Sequence, residues 1–284
     1  MSDNSKSKIP CTVHILTRNS AHIMRRCLNS LKDFDDILIC DGNSTDDTLK
    51  IAREYTDHII KQADTNEPNY RLLDFSLARN KCIEEGKYDW NFYIDTDEEL
   101  PQRTAEEIRN IVTDPNIKHY IYRLPGHINY FGREIKYSTA YPGYQMRFMN
   151  RKSGIRHTRT PHSRLNFDQK KWTVGTMENP WFVIMEPGAG IKPYEPAINR
   201  GHIQIQIREA VKVPLSNFLY WIVWRNIKGL VSITFKLIVL YVRHGFKDTL
   251  PPSLEFKRLY YKWLFLTGAV KFRIRLALFG EKEK

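Results

Sequence analysis

The chain has 284 residues, enough for one large domain or a domain with a substantial appendage. With 42% hydrophobic and 12% aromatic residues, its composition excludes wholesale disorder. The net charge of +12 is concentrated: residues 204–284 hold 15 Lys and Arg against 5 Asp and Glu, a balance of +10 that points this third of the chain towards an anionic surface.

The N-terminal MSDNSKSKIP is polar, so no signal peptide is expected. CTVHILT (Cys11–Thr17) reads as a strand, and a helical segment follows from about Ala21 to Leu31. DILIC (Asp36–Cys40) is a second strand ending at Asp41-Gly42. In NSTDDTLKIAREY, Ser44 or Thr45 can cap a helix whose first turn holds Asp46 and Asp47, where the helix dipole favours negative charge. HIIKQ is a third strand, Leu72 to Glu85 a helix, and WNFYI a fourth strand. Short strands separated by helices predict a parallel, doubly wound α/β sheet. From about Pro101 the pattern loosens into a helix (Ala105–Val112), then strands and turns in HYIYRLPGHINYFGREIKY, then a Gly- and Pro-punctuated stretch to about Gly201. Cys11, Cys27, Cys40 and Cys82 stand singly, with no C-x-x-C pair, which suits a reducing, cytosolic setting better than a disulfide framework.

The stretch DWNFYIDTDEELP places Asp95, Asp97, Glu98 and Glu99 within five positions where the fourth strand ends, and like charges so close repel. Ligands of open α/β sheets bind outside the carboxyl ends of the strands. Asp41 and Asp95/Asp97 should therefore converge on one crevice. An Asp-x-Asp pair there can put one carboxylate on a divalent cation while the other orients ribose or a metal-bound water. Mg²⁺ and Mn²⁺ prefer oxygen ligands and share them with phosphates. The plainer reading has the acids open the next helix, a role that Glu98, Glu99, Glu106 and Glu107 fit and that is assigned from Glu99 onward.

Four blocks appear in order: LTRNSAHIMRRCLNSL, ILICDGNSTDDTLKIAREY, DFSLARNKCIEEGKYDWNFYIDTDEEL and YPGYQMRFMNR. Together they resemble the family 2 glycosyltransferases, in particular the bacterial subgroup that extends lipopolysaccharide inner core or similar lipid-linked glycans. The resemblance is good over about residues 9–165 and loose beyond. It implies a GT-A-type fold: a Rossmann-like mixed α/β sheet flanked by helices. Residues 1–203 would be the catalytic domain, with a nucleotide-sugar half at about 9–100 and an acceptor half at about 101–203; residues 204–284 would be a basic, amphipathic helical region. It also implies metal-dependent, inverting transfer from a nucleotide-sugar donor, a UDP-sugar, with Mg²⁺ or Mn²⁺ as cofactor. Thr17 and Asn19 match positions lining the nucleotide pocket, and Asp41 matches the acid that hydrogen-bonds the base. Asp74 opens, and Arg79 belongs to, a block near the nucleotide. Asp95 and Asp97 match the D-x-D, with Asp97 the direct metal ligand. His202 in NRGHIQI matches a later histidine that completes the metal site. Arg147 in YQMRF is a candidate contact for a diphosphate or an acidic acceptor group.

The general base is where the chain departs from the family. Relatives commonly carry Tyr-Pro-Asp-Tyr-Gln, where this chain has Gly143, and His-Glu, where this chain has His162-Ser163. Serine is too weakly basic for the task. His162, with a reference pKa near 6.5, and nearby Asp168 and Glu178 are the candidates.

Asn217–Phe246 mixes apolar runs with Arg225, Lys228, Lys236 and Arg243. Spanning a bilayer takes about twenty consecutive apolar residues, and Lys236 interrupts the longest run. A helix lying in the interface, peripheral to the cytoplasmic face of the membrane, is expected instead, with anionic lipid as partner and no nucleic acid. The acceptor would then be a lipid-linked or lipopolysaccharide-type glycan. Ordinary packing of these helices on the catalytic domain is the alternative. The rival functions are a membrane-docked glycan- or nucleotide-binding protein without turnover, and a nucleotidyltransferase. The second normally has a Gly-rich loop after its first strand, and LTRNSAHI lacks those glycines.

Overall fold

The computed structural model describes residues 7–72, 74–141, 143–158, 164–186, 203–204 and 206–280. Two compact units divide the chain: residues 1–129 with 142–184, and residues 130–141 with 185–284. The second unit thus begins ahead of the 203/204 boundary expected from sequence and takes in Tyr130–Tyr141.

In the first unit, β1 (Ile9–Thr17), β2 (Phe34–Asp41), β3 (Ile59–Lys61) and β4 (Trp90–Asp95) are all parallel, in the order β3-β2-β1-β4. Their side chains alternate between two covered faces, as the pleat requires. Val13, Ile15, Ile39, Phe92 and Ile94 join a core with α1 (Met24–Asn29), α2 (Thr48–Ala52) and α4 (Gln102–Thr113). Leu38 and Cys40 pack instead on Ala78 and Cys82 of α3 (Phe75–Glu85). The four cysteines are buried and free.

Two local expectations change. The start of α2 is not capped by Ser44 or Thr45: Asp46 Oδ1 accepts from the Thr48 amide at 3.0 Å, and Ser44 turns to Asp41. Glu98 and Glu99 do not open a helix. They form a two-residue strand, β5 (Glu98–Glu99). Pro101 keeps Leu100 out of the helical region, so α4 starts only at Gln102.

Beyond α4 come β6 (Ile121–Tyr130), β7 (Arg133–Ile135), β8 (Gly143–Asn150), the antiparallel pair β9 (Arg156–Thr158) and β10 (Arg164–Asn166), β11 (Val174–Thr176) and β12 (Trp181–Met185). The main sheet continues from β4 as β4-β8-β6-β12-β5, with β8 antiparallel to both neighbours. Although β5 follows β4 almost at once, it pairs with β12, Val183 opposite Glu98. The sheet therefore curls, and β8 and β12 return to the carboxyl end of β4. This is the mixed, helix-flanked sheet that the resemblance implies.

The second unit is mostly helical. Leu215–Asn217 runs through a π-helical stretch, Phe218–Trp224, into α5 (Arg225–His244), and α6 (Pro252–Phe279) follows. Ile207, Val211, Phe218 and Ala269 form its small core. Glu255, fully buried, accepts from Ser138 Oγ at 2.7 Å and the Thr139 amide at 2.8 Å, which fastens α6 to the loop after β7. Among the described residues, no helix is long and apolar enough to cross a membrane.

Candidate functional site

The carboxyl ends of β1 and β2 are fastened together by side chains. Thr17 stands opposite Asp41 in register and donates Oγ1 to Asp41 Oδ1 at 2.9 Å. Ser44 donates its amide to Oδ2 at 2.8 Å and its hydroxyl to Oδ1 at 2.6 Å. Asn19, at φ 48°, donates its amide to Ser44 Oγ at 2.9 Å and accepts from the Thr45 amide at 2.8 Å. Asparagine tolerates this left-handed backbone better than most residues. Gly42 is needed where it is, because a Cβ would stand 3.0 Å from both Tyr70 O and Gln62 Oε1. Thr17, Asn19 and Asp41 thus share one network, and each Asp41 oxygen has two acceptor sites, of which the partners above leave one free on Oδ2.

Asp95 ends β4 on the other side of β1, where Leu16 faces it in register. Asp41 and Asp95 therefore flank β1 at one edge of the sheet, on strands roughly 10 Å apart. The Asp95 side chain is 44% exposed, with Arg79 Nη2 at 3.4 Å. The Arg79 guanidinium lies over the Tyr93 ring at 4.4 Å. Asp97 is half-buried; desolvation, with the charge of Asp95 second, pushes its carboxyl up.

The residue that sequence reasoning missed is Glu98. It is 5% exposed and takes four donors: Arg147 Nη1, Arg147 Nη2 at 2.9 Å, Trp181 Nε1 at 3.0 Å and the Asp95 amide at 2.9 Å. Burial pushes its carboxyl up, to about 7, against the pull of Arg147. Through the Asp95 amide, Glu98 fixes the turn that carries both D-x-D carboxylates. Arg147, buried, stacks on Trp181 at 4.2 Å and Tyr93 at 4.9 Å, and its Nε donates to Gln145 Oε1 at 3.0 Å. All three of its nitrogens are engaged by protein. The structure thus gives Arg147 a positioning duty in place of the expected diphosphate contact. The one available signal was Pro101, which disfavours helical backbone at Leu100 and so argues against a helix running through from Glu98.

Asp74 is the N-cap of α3, its carboxylate accepting from the Ser76 amide at 2.8 Å, which is a structural use rather than the nucleotide contact expected of it. Among the candidate bases, Asp168 is placed at the wrong edge. Its carbonyl accepts from the Trp172 amide at 2.9 Å, and Trp172 packs on Tyr120 at 4.7 Å. The Tyr120 carbonyl in turn accepts from Asn150, opposite Trp90 at the start of β4. Asp95 lies at the far end of that strand, roughly 17 Å away. Glu178 is exposed in a turn held by Glu107 of α4, which accepts its amide at 2.8 Å. His162 and His202 lie outside the described residues.

No group of three metal-ligating side chains occurs among the described residues. The donor chemistry nevertheless fits a hard cation. Burial first and the charge of Asp95 second raise the Asp97 carboxyl, and a divalent ion with oxygen ligands relieves the repulsion between the two carboxylates while leaving sites for phosphate.

The family model described as "Glycosyl transferase family 2" matches residues 12–173. The chain is 30% identical over 152 residues to the SPbeta prophage-derived glycosyltransferase SunS of Bacillus subtilis, covering 45% of this chain and 35% of that protein. It is 32% identical over 120 residues to an uncharacterized glycosyltransferase of Rickettsia prowazekii, covering 42% and 38%. The chain matches little more than a third of the length of these curated relatives. Among solved structures, S. aureus TarS in complex with UDP-GlcNAc aligns at a TM-score of 0.45 and 14% identity, covering 93% of this chain and 91% of that one. Glucosyl-3-phosphoglycerate synthase of Mycobacterium tuberculosis, in complex with Mn²⁺ and UDP, aligns at 0.32 and 18%, covering 42% and 43%.

Proposed function

The chain belongs to glycosyl transferase family 2, whose match spans more than half of it, and on that premise we propose its activity. It is a metal-dependent, inverting glycosyltransferase that moves a sugar from a UDP-linked donor to a lipid-linked or lipopolysaccharide-type glycan at the cytoplasmic face of the membrane. One observation carries the reading: Asp41 and the Asp95–Asp97 turn stand at the ends of β2 and β4, the two strands that flank β1, on the same edge of the sheet.

In this reading Thr17, Asn19 and Asp41 hold the nucleoside, with the free Oδ2 position of Asp41 accepting a base N–H. Arg79, beside Asp95, faces the diphosphate. Asp97, with Asp95, would hold Mg²⁺ or Mn²⁺, which when bound would supply electrostatic stabilisation of the leaving diphosphate. Glu98 and Arg147 keep this turn in place. The acceptor hydroxyl needs a base on the opposite face of the sugar. With Asp168 at the other edge of the sheet and Glu178 beside α4, that role falls to His162.

A second reading, a nucleotide- or glycan-binding protein without turnover, is favoured by Gly143 and Ser163, where relatives carry carboxylates. Two measurements separate the outcomes. A UDP-sugar with Mn²⁺ raises the thermal midpoint of the wild type, because a ligand that binds only the folded state stabilises it, and Asp97→Ala abolishes the rise. Equal stabilisation of both proteins contradicts the metal assignment. Donor hydrolysis under the same conditions distinguishes an enzyme from a binder, since binding without any turnover supports the second reading.

A further inference from the structure

Helix α5 carries its exposed apolar residues in a line. Ile227, Val231, Phe235, Ile238 and Val242 are 42%, 66%, 67%, 59% and 82% exposed. Their steps of three and four residues keep them on one helix face, a stripe about 23 Å long at 1.5 Å per residue. Trp224, 52% exposed, continues it upstream. Four cations edge the stripe: Arg225, Lys228, Lys236 and Arg243 each follow Trp224, Ile227, Phe235 or Val242 by one residue, so all lie about 100° round the same side. Arg225 lies over the Trp221 ring at 4.7 Å, and Lys228 over the Trp224 ring at 5.9 Å.

A continuous exposed apolar surface of this size marks an interaction face. Charge decides its occupant. Asn217–Phe246 contains no Asp or Glu. A second copy laid on the same stripe would bring cation against cation with no acid from this segment to meet either. An anionic bilayer matches both features, taking the aliphatic line below the headgroups and the cations at phosphate level, with the tryptophans between. We propose that α5 lies in the plane of an anionic membrane surface, with Val231, Phe235, Ile238 and Val242 inserted and Lys228 and Lys236 at the lipid phosphates. This deepens the membrane-side reading above, on which it rests, and names the surface that holds the chain there.

The test is cosedimentation of the full chain with vesicles, without donor or metal. Wild type binds vesicles of phosphatidylcholine with about 30% phosphatidylglycerol at least tenfold more tightly than neutral vesicles, and raising salt from about 0.1 to about 0.5 M weakens the binding. Val231→Asp with Phe235→Asp loses binding by more than tenfold. Lys228→Ala with Lys236→Ala loses about 30-fold on anionic vesicles only, the equivalent of about 1 kcal/mol per cation. All four substituted positions are exposed, and each variant keeps the wild-type melting temperature. Equal binding to both vesicle types, or unchanged binding of the aspartate variant, overturns the proposal. So does a wild-type dimer that the aspartate variant splits without any vesicle binding, which would make the stripe an interface between copies. Vesicle binding with no thermal shift from UDP-sugar and Mn²⁺ counts against the transferase reading alone, and a thermal shift without vesicle binding counts against this proposal alone.

Discussion

Replacing Arg147 by methionine separates the charge of the buried pair from its bulk. The substitution removes two of the four donors to Glu98 and the stacking on Tyr93 and Trp181, and leaves Trp181 Nε1 and the Asp95 amide in place. Burial already pushes Glu98 up to about 7 with Arg147 present, and without the guanidinium it rises further. A carboxyl raised in the folded state contributes stability that is present at low pH and lost as pH rises through the folded value. Below about pH 7 both proteins hold the proton when folded, so the variant is short only of packing and hydrogen bonds, about 1–2 kcal/mol. Above that, the variant keeps a proton that the wild type releases, and the deficit grows by up to about 1.4 kcal/mol per pH unit. At about pH 9 it reaches about 3–5 kcal/mol, the range for a buried charge stripped of its partner. With a urea slope of about 2 kcal/mol/M, the midpoint falls by about 2 M at pH 9 and by less than 1 M at pH 6. Near-ultraviolet circular dichroism of the buried aromatics reads the transition, and the Glu98→Gln, Arg147→Met double variant has a deficit independent of pH when measured against Glu98→Gln alone. A deficit equal at the two pH values, or below about 1 kcal/mol at pH 9, refutes the account.

Three other outcomes follow from the same unit. Burial holds His157 down, to about 3, and His14 well below the usual histidine range. Both fold neutral while the unfolded chain takes up protons below about pH 6.5, so stability falls by about 1.4 kcal/mol per pH unit for each as pH drops from about 6 towards 4. His14→Phe removes about half of that slope in thermal midpoints taken across this range; an unchanged slope counts against it. Asp41→Asn exchanges one of the acceptor oxygens that serve Thr17 and Ser44 for a donor, costs about 2 kcal/mol in urea unfolding, and abolishes stabilisation by UDP. Gly126→Ala puts a Cβ 2.6 Å from the Trp181 ring. It costs about 1–3 kcal/mol as overpacking and, by shifting the indole that bonds Glu98, weakens metal-dependent donor binding more than Asp41-dependent binding of uridine, as titration with each will show.

Strands β1 to β4 were legible because each is a short apolar run closed by a turn signal, and because in β1, β2 and β4 burial on both faces leaves little polar alternation to confuse with a helix. Asp41 and Asp95 were legible for a related reason, since the ends of parallel strands in one sheet must lie at one edge, whereas Thr17 and Asn19 were offered by the family resemblance alone. Glu98 was not, because its partners, Arg147 on β8 and Trp181 on β12, lie 49 and 83 residues away and meet it only where the sheet curls. Local pattern gave Arg147 a charge without a burial, so it read as a ligand contact. Asp168 failed differently. Nearness in sequence to His162 says nothing about which edge of the sheet a turn occupies, and β11 runs parallel to β6, so the turn before it lies at the amino end.

The four acids that close β4 have four different fates, and the differences explain how such a cluster folds at all. Glu99 pairs with Arg26 of α1 at 2.9 Å. Glu98 is buried against Arg147. Asp95 has Arg79 beside it but stays largely open to solvent, where screening limits the interaction. Asp97 has no cationic side chain within ion-pair distance among the described residues, and burial pushes its carboxyl up. Three arginines from three different elements thus offset three of the charges, and the fourth is held half-buried at the strand edge that Asp41 shares. A fold that only needed to tolerate the cluster could have supplied a fourth arginine or left Asp97 in water. Holding it partly desolvated beside a second carboxylate raises its proton affinity and, by the same electrostatics, its affinity for a divalent cation. A positively charged residue placed next to it, as in Thr96→Lys, should therefore lower the Asp97 carboxyl and weaken Mn²⁺ binding by more than tenfold in calorimetric titration, while leaving Glu98 and Arg147 paired; undiminished Mn²⁺ affinity in that variant would put the cation elsewhere.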